Sequence, residues 1–328
     1  MPVGLRQITG KARFIMQKKI QTILAATIIV IVLLAIVAGF SLLNSQPPSS
    51  DATLKVLATF YPLYDFAKNV GRDKVDVSIL VPETVDVHDF DPTPSSIASV
   101  ARADVLIYNG VGLEPWISSI VNAADNPNLK LVDSSADIQL LQVPLQFQSN
   151  NQTYDPHIWL NPVLVKQQVN NILNGLIEAD PSNSQYYRQK AQAYNQKLDD
   201  LNSRIITATT NVKTRYFVTF HESFAYFAKE YDLTQIPIAG PFQEEPTAND
   251  IQNVINAINQ YHLLYVGYES LENPAVSDAI KKQTNATLIL MNPIEGLTAE
   301  DKAAGKDYLI LMQENLSNIV LALNNIGN

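Results

Sequence analysis

The chain has 328 residues, 46% of them hydrophobic and 17% charged, which is the length of about two domains and not the composition of a disordered polyelectrolyte. It contains no cysteine, which excludes disulfide frameworks, thiolate zinc sites, iron–sulfur clusters, a cysteine nucleophile and a lipid-bearing cysteine anchor. A net charge of −9 argues against nucleic acid as a partner.

The charge is unevenly spread. Residues 1–19 carry five basic residues and no acid, leaving 18 basic and 32 acidic residues, net −14, in the remainder. No charged residue lies between Ile20 and Ser50. Ile23–Leu43 is apolar apart from Thr27, Gly39 and Ser41, and at 1.5 Å per residue it reaches roughly 30 Å, enough to span a hydrocarbon core. Residues 1–19 are therefore expected to form a cytoplasmic basic segment, 20–43 a single-pass transmembrane helix and 44–53 a stalk, with the body on the extracytoplasmic face of the cell membrane. A cleaved signal peptide is the alternative, and the length of the run favours an anchor. Glycosylation triplets at Asn151, Asn285 and Asn315 are compatible with that location.

From Leu54 onward, short β-branched runs alternate with amphipathic stretches. Strands are predicted at 54–59, 75–80, 104–108 and 129–132, with helices at 61–71, 94–102 and 113–124 between them. The rhythm returns with strands at 215–220, 235–238, 263–268 and 287–291 and helices at 222–231, 248–260, 274–283 and 305–325. Strands joined by helical crossovers predict an α/β fold of two lobes, each a four-stranded, mainly parallel sheet with flanking helices. The first lobe spans 54–160 and the second 211–328. Between them, 161–210 is helical, with a first helix from Pro162 to Glu178. A second runs over about 182–209, where Tyr187, Ala191, Tyr194, Leu198, Leu201, Ile205 and Ala208 recur at alternating steps of 4 and 3. That stripe predicts a core-facing helix, read here as a stiff rod between the lobes.

Of the four histidines, three sit in loops or at strand ends: His88 in VDVHDFDPTP, His157 in DPHIWLNP and His221 in VTFHESFAYF. Ligands of open α/β sheets bind outside the carboxyl ends of the strands, so these three could converge in a cleft between the lobes. Imidazole suits zinc and related ions when the second ring nitrogen is held by an acceptor; Asp89, Asp91, Asp155 and Glu222 are the nearby candidates. The spacing alone matches no compact zinc motif, and HES at 221–223 is not the HExxH of a metalloprotease. His262, at a helix-to-strand junction, has no such context.

Taken together, several blocks resemble one family. TFYPLYDFAKNVGRDKVDVSILVP (59–82), VHDFDPTPSSIASVARADVLIYNGVGLEPW (87–116), DPHIWLNP (155–162), TFHESFAYFAKEYDL (219–233), GPFQEEPTANDI (240–251) and GYESLENPAVSDAI (267–280) are similar, in order, to the zinc/manganese solute-binding proteins of ATP-binding-cassette importers, the group that includes the adhesin lipoproteins. The resemblance covers about 54–325. It implies two lobes bridged by a long rigid helix, one divalent ion between them, and a receptor rather than an enzyme. The family's metal positions fall on His88, His157 and His221, and a histidine at the third place resembles the zinc-type members. Zn²⁺ is thus the expected ligand, with Mn²⁺ possible. An importer permease and its ATPase are the expected partners, nucleic acid is not, and a monomer is expected.

The chain departs from the family at four points. The usual proline before the first histidine is Val87, the carboxylate after the last strand falls on Asn292, 138–153 contains no histidine, and the lipid-bearing cysteine is absent. The fourth ligand is therefore open among water, Asn292 and Glu295. Two other readings stand beside the receptor: a zinc hydrolase with Glu222 as base, and a surface interaction protein with a structural metal.

Overall fold

The β-branched runs form strands because their side chains pack on pleated, covered surfaces. The computed structural model describes residues 53–148, 152–242, 245–271 and 275–327, together with Met16. The expected basic segment and transmembrane helix therefore lie outside the described residues, apart from Met16. No helix among the described residues is long and apolar enough to cross a membrane.

In the first lobe, β1 (Leu54–Ala58), β2 (Val75–Ile79), β3 (Val105–Tyr108) and β4 (Lys130–Asp133) form one parallel sheet in the order β2-β1-β3-β4. Helices α1 (Tyr61–Gly71), α2 (Pro94–Arg102) and α3 (Ile117–Ala124) make the crossovers. Thr93 and Ser96 close a reciprocal capping box at the start of α2, which fixes where the loop carrying His88 ends. The third helix starts four residues later than the sequence pattern predicts, because Gly110 and Gly112, both at positive φ, turn the chain first.

In the second lobe, β5 (Tyr216–His221) pairs in parallel with β6 (Thr234–Ala239), and β7 (Tyr265–Tyr268) with β8 (Thr287–Leu290). Helices α6 (Ala225–Glu230), α7 (Ala248–Gln260) and α8 (Ala275–Gln283) connect them. This corrects the expected four-stranded sheet: the ladder is two pairs, with β5 and β7 packed side by side. At their junction a Cβ on Gly267 would lie 2.6 Å from the Val218 carbonyl oxygen and 2.8 Å from Thr219 Cα. The expected last helix is α10 (Tyr308–Asn324); before it the chain forms a short helix that the pattern does not predict, α9 (Ala299–Ala303), and Gly305 with φ 68° separates the two.

Between the lobes run α4 (Pro162–Ala179) and α5 (Ser184–Thr209). The predicted stripe of α5 is buried from Tyr187 to Ile205, and the last inward position is Thr209 rather than Ala208. This helix of 26 residues, roughly 39 Å long, packs against α4, against α1 of the first lobe and against α10 of the second. One apolar core runs through all three parts, including Val56 and Phe66, then Trp159 and Leu198, then Phe217, Met291 and Leu316. Phe66 of α1 meets Tyr308 of α10 edge to face at 5.0 Å. The lobes are thus joined by close-packed side chains as well as by chain.

Gly267 tests the side-by-side packing of β5 and β7. Gly267→Ala forces a methyl against backbone atoms that cannot rotate away, and should cost about 1–3 kcal/mol of stability in urea unfolding. An unchanged midpoint would mean that the strands can part without penalty.

Candidate metal centre

Every element of the centre hangs from the carboxyl end of a strand. His88 lies in the loop after β2, His157 in the loop after β4, and His221 is the last residue of β5. The structure brings the three together. It adds Glu295, from the loop after β8, so that one ligand atom from each of the four lies within 4.8 Å of the others. Glu295 Oε1 is 3.4 Å from His88 Nε2, 3.2 Å from His157 Nε2 and 3.4 Å from His221 Nε2. The Nε2 atoms of His157 and His221 are 3.1 Å apart. His88 Nε2 and Glu295 Oε1 are buried and have no hydrogen-bond partner. Buried polar atoms left bare while aimed at one point are what a cation would satisfy.

Two carboxylates set the direction of the rings. Asp155 Oδ1 accepts from both the backbone N–H (2.9 Å) and the ring Nδ1 (2.7 Å) of His157. Glu269 Oε1 does the same for His221, at 3.1 and 2.7 Å. With its Nδ1–H donated outward, each ring presents the Nε2 lone pair inward, the tautomer that a metal needs. His88 has half of this arrangement, its backbone N–H donating to Asp86 Oδ1 at 2.8 Å. Its ring stands edge-on to Phe242, with centroids 6.4 Å apart.

Further contacts fix the loop of His157. Glu114 accepts from the Thr59 hydroxyl and from the backbone N–H groups of Asn109 and Gly110. The Asn109 amide in turn donates to the Pro156 carbonyl at 3.0 Å. The Tyr226 hydroxyl donates to the Asp155 carbonyl at 2.8 Å.

The field of the site favours positive charge. Burial depresses the His88 pKa. Burial also pulls His157 and His221 down, but Asp155 and Glu295 around the first and Glu269 and Glu295 around the second outweigh it, and both are raised. Burial pushes Glu295 up, yet the three imidazoles overcome this and hold it well below the ordinary carboxylate range. Asp86, buried beside the Glu295 carboxylate, is pushed up to about 8, and partial burial pushes Glu222 to about 7.

Residues 56–322 match the family described as zinc-uptake complex component A, periplasmic (ZnuA). The chain belongs to this family. It is similar to the high-affinity zinc uptake system protein ZnuA of Bacillus subtilis (strain 168), at 32% identity over 293 residues, 87% of this chain and 92% of the relative. It is also similar to the zinc-binding lipoprotein AdcA of Streptococcus pneumoniae (strain ATCC BAA-255 / R6), at 27% identity over 295 residues, 87% of this chain but only 59% of that longer relative. Among solved structures, a crystal structure of ZnuA superposes with a TM-score of 0.73 at 31% identity, covering 83% of this chain and all of that one. Zn(II)-bound AdcA from S. pneumoniae superposes with a TM-score of 0.73 at 27% identity, covering 84% and 59%. ZnuA-family proteins are solute-binding components of importers, so the chain is a receptor and not an enzyme.

Against this member of the ZnuA family, the sequence expectations divide cleanly. His88, His157 and His221 converge, and His262 does not join them. Of the three candidates for the fourth place, Glu295 stands in the cluster. Asn292 is occupied elsewhere: its Oδ1 accepts from the Ile294 N–H, and its backbone exchanges two hydrogen bonds with the Asn315 side chain. That bonding also buries Asn315, so its glycosylation triplet is closed in the folded protein. Of the four proposed acceptors only Asp155 holds a ring; Asp89 and Asp91 are exposed, and Glu222 is half-buried beside the site. Asp86 and Glu269 were missed. A signal for Asp86 was present, since DVH at 86–88 and DPH at 155–157 share one Asp-x-His spacing. Glu269 has no local signal, because it sits just past the end of β7 and reaches His221 at the end of β5, distant in sequence.

Glu269→Gln keeps an acceptor in place but removes its charge. Metal affinity should fall about 10–100-fold, as for other partners of metal-bound imidazoles, in competition titration against a chromophoric chelator. An affinity within twofold of the parent would show that the carboxylate does not tune His221.

Proposed function

We propose that the protein captures Zn²⁺ outside the membrane through the Nε2 atoms of His88, His157 and His221 and the carboxylate of Glu295, and delivers it to the permease of an ATP-binding-cassette importer. The convergence of these four buried side chains, with Asp155 and Glu269 orienting two of the rings, carries this reading. Three imidazoles and one carboxylate make a four-coordinate nitrogen and oxygen set of the kind zinc takes. A manganese site would ordinarily be richer in oxygen donors. The receptor works as a monomer, tethered by residues 20–43 with its N-terminus in the cytoplasm. Its net −14 body modestly raises the local concentration of cations. Capture needs little motion of the lobes, because their shared core resists hinge opening.

The hydrolase reading loses support at the same place. A catalytic zinc keeps one position open for water, whereas four side chains able to act as ligands converge here. Glu222, the would-be base, is not one of the four residues of the cluster.

Calorimetric titration of the purified protein with Zn²⁺ should give a single site. Replacing each of His88, His157, His221 and Glu295 by Ala should weaken it by at least about tenfold each, since each removes one bond of the coordination shell. Full affinity after loss of any one would remove that residue from the shell.

Protons compete with the ion for the same Nε2 atoms. Because neighbouring carboxylates raise His157 and His221, these rings hold protons at higher pH than a free imidazole, near ~6.5. Metal binding near neutral pH should therefore release protons, and affinity should fall as pH drops from 7.5 to 5.5 by at least about tenfold. Equal heats in buffers of different ionisation enthalpy, or a flat pH profile, would contradict this.

A further inference from the structure

The segment that carries Glu295 is held at both ends by the other lobe. Two residues before it, the Pro293 carbonyl accepts the indole N–H of Trp159 at 2.8 Å. Two residues after it, the Leu297 N–H donates to the Glu83 carbonyl at 2.7 Å. Trp159 follows His157 by two residues, and Glu83 precedes His88 by five, so each anchor lies on a loop that bears a histidine.

Both anchors are built closely. Trp159 is fully buried, its ring edge-to-face on Phe60 at 4.8 Å and tilted on His157 at 5.0 Å, and its carbonyl accepts from the Tyr308 hydroxyl at 2.7 Å. At the other anchor, a Cβ on Gly296 would lie 2.1 Å from the Glu83 carbonyl oxygen. Only a residue without a side chain lets the two backbones approach so closely. The Glu83 side chain also pairs with Lys302.

Between the anchors the chain is strained. Ile294 has φ 58°, a region that β-branched residues rarely enter. Such a conformation persists only where its surroundings impose it. Here Asn292 Oδ1 accepts the Ile294 N–H at 2.8 Å, and the Ile294 side chain is buried in the shared core.

We infer that Gly296 and Trp159 are positioning residues that clamp the 293–297 segment to the first lobe, hold Glu295 against the three imidazoles, and so set how slowly the metal leaves. The inference rests on Glu295 being a ligand. Loosening the clamp lets the strained turn relax and withdraws one ligand, while the three histidines, on other loops, stay in place. The metal would then be held by a weaker three-imidazole site. Gly296 and Trp159 act through Glu295 and touch no ion themselves.

The test is a double-mutant cycle on the full-length protein, read as the Zn²⁺ dissociation rate into excess chelator and as Kd by competition. Metal-free melting curves confirm that each variant is folded. Gly296→Ala should speed release about 10–100-fold, the range for supports of a metal ligand. Glu295→Ala should do at least as much, and the double variant should equal Glu295→Ala alone within about twofold, because a clamp with nothing left to position has no further effect. If Gly296→Ala does not fold, Trp159→Phe, which removes the indole N–H, takes its place in the same cycle. A folded clamp variant with an unchanged release rate overturns the inference, as does a double variant whose losses multiply. If Glu295→Ala itself binds Zn²⁺ like the parent, it is the ligand assignment that fails.

Discussion

The centre depends on a single arrangement: one carboxylate oxygen receiving both the backbone N–H and the ring Nδ1–H of the same histidine. Asp155 does this for His157 and Glu269 for His221. The backbone bond fixes where the carboxylate sits relative to the main chain, and the ring bond then fixes the imidazole relative to the carboxylate. The outcome is a buried ring with its lone pair aimed at a set point and almost no freedom to turn. A metal site made this way is formed before the ion arrives, so binding does not have to order its ligands.

The rest of the architecture follows from keeping those carboxylates and rings in register. Strand carboxyl ends from both lobes must face each other, which needs the lobes at a fixed separation. The core that runs from Val56 through Leu198 to Leu316 provides that. The long helix α5 is less a rod between separate bodies than one wall of that common core. Burying Asp155, Glu269 and Glu295 together is costly in a low dielectric. The three imidazoles offset part of that cost without an ion, and a dication would do so more fully. The strong opposing shifts of His221 and Glu295 show a site whose field is complementary to positive charge.

Much of this was legible in the sequence. Period-2 runs and 3.6-period stripes located all eight strands and nearly every helix, because each element buries a regular face. The three histidines stood out by their places at strand ends and by blocks that resemble a known family. What escaped was whatever depended on partners distant in sequence. Glu269 reaches His221 from a neighbouring strand, and nothing near position 221 announces it. The split of the second sheet falls between β5 and β7, where backbone meets backbone at Gly267, and no local pattern reports which strands pair. The short helix α9 escaped because five residues are too few to show a periodic buried face.

The fourth member of the cluster, Glu295, shows most clearly why pattern alone stops short. Position 292 is where a carboxylate is expected from the resemblance, and the sequence offers Asn there and Glu three residues on. An asparagine at 292 can do something that its use as a ligand would forbid. Its side-chain oxygen accepts the Ile294 N–H, which stabilises a backbone turn that Ile294 would otherwise resist at φ 58°. That turn carries Glu295 past the strand end and into the cluster. The two residues therefore divide the work, with Asn292 shaping the chain and Glu295 supplying the charge. The strain at Ile294 is tolerable because Trp159 and Glu83 hold the segment from the opposite lobe. The same contacts that unite the lobes thus also place the Glu295 carboxylate beside the three imidazoles, so the fold and the geometry of the cluster rest on one set of interactions.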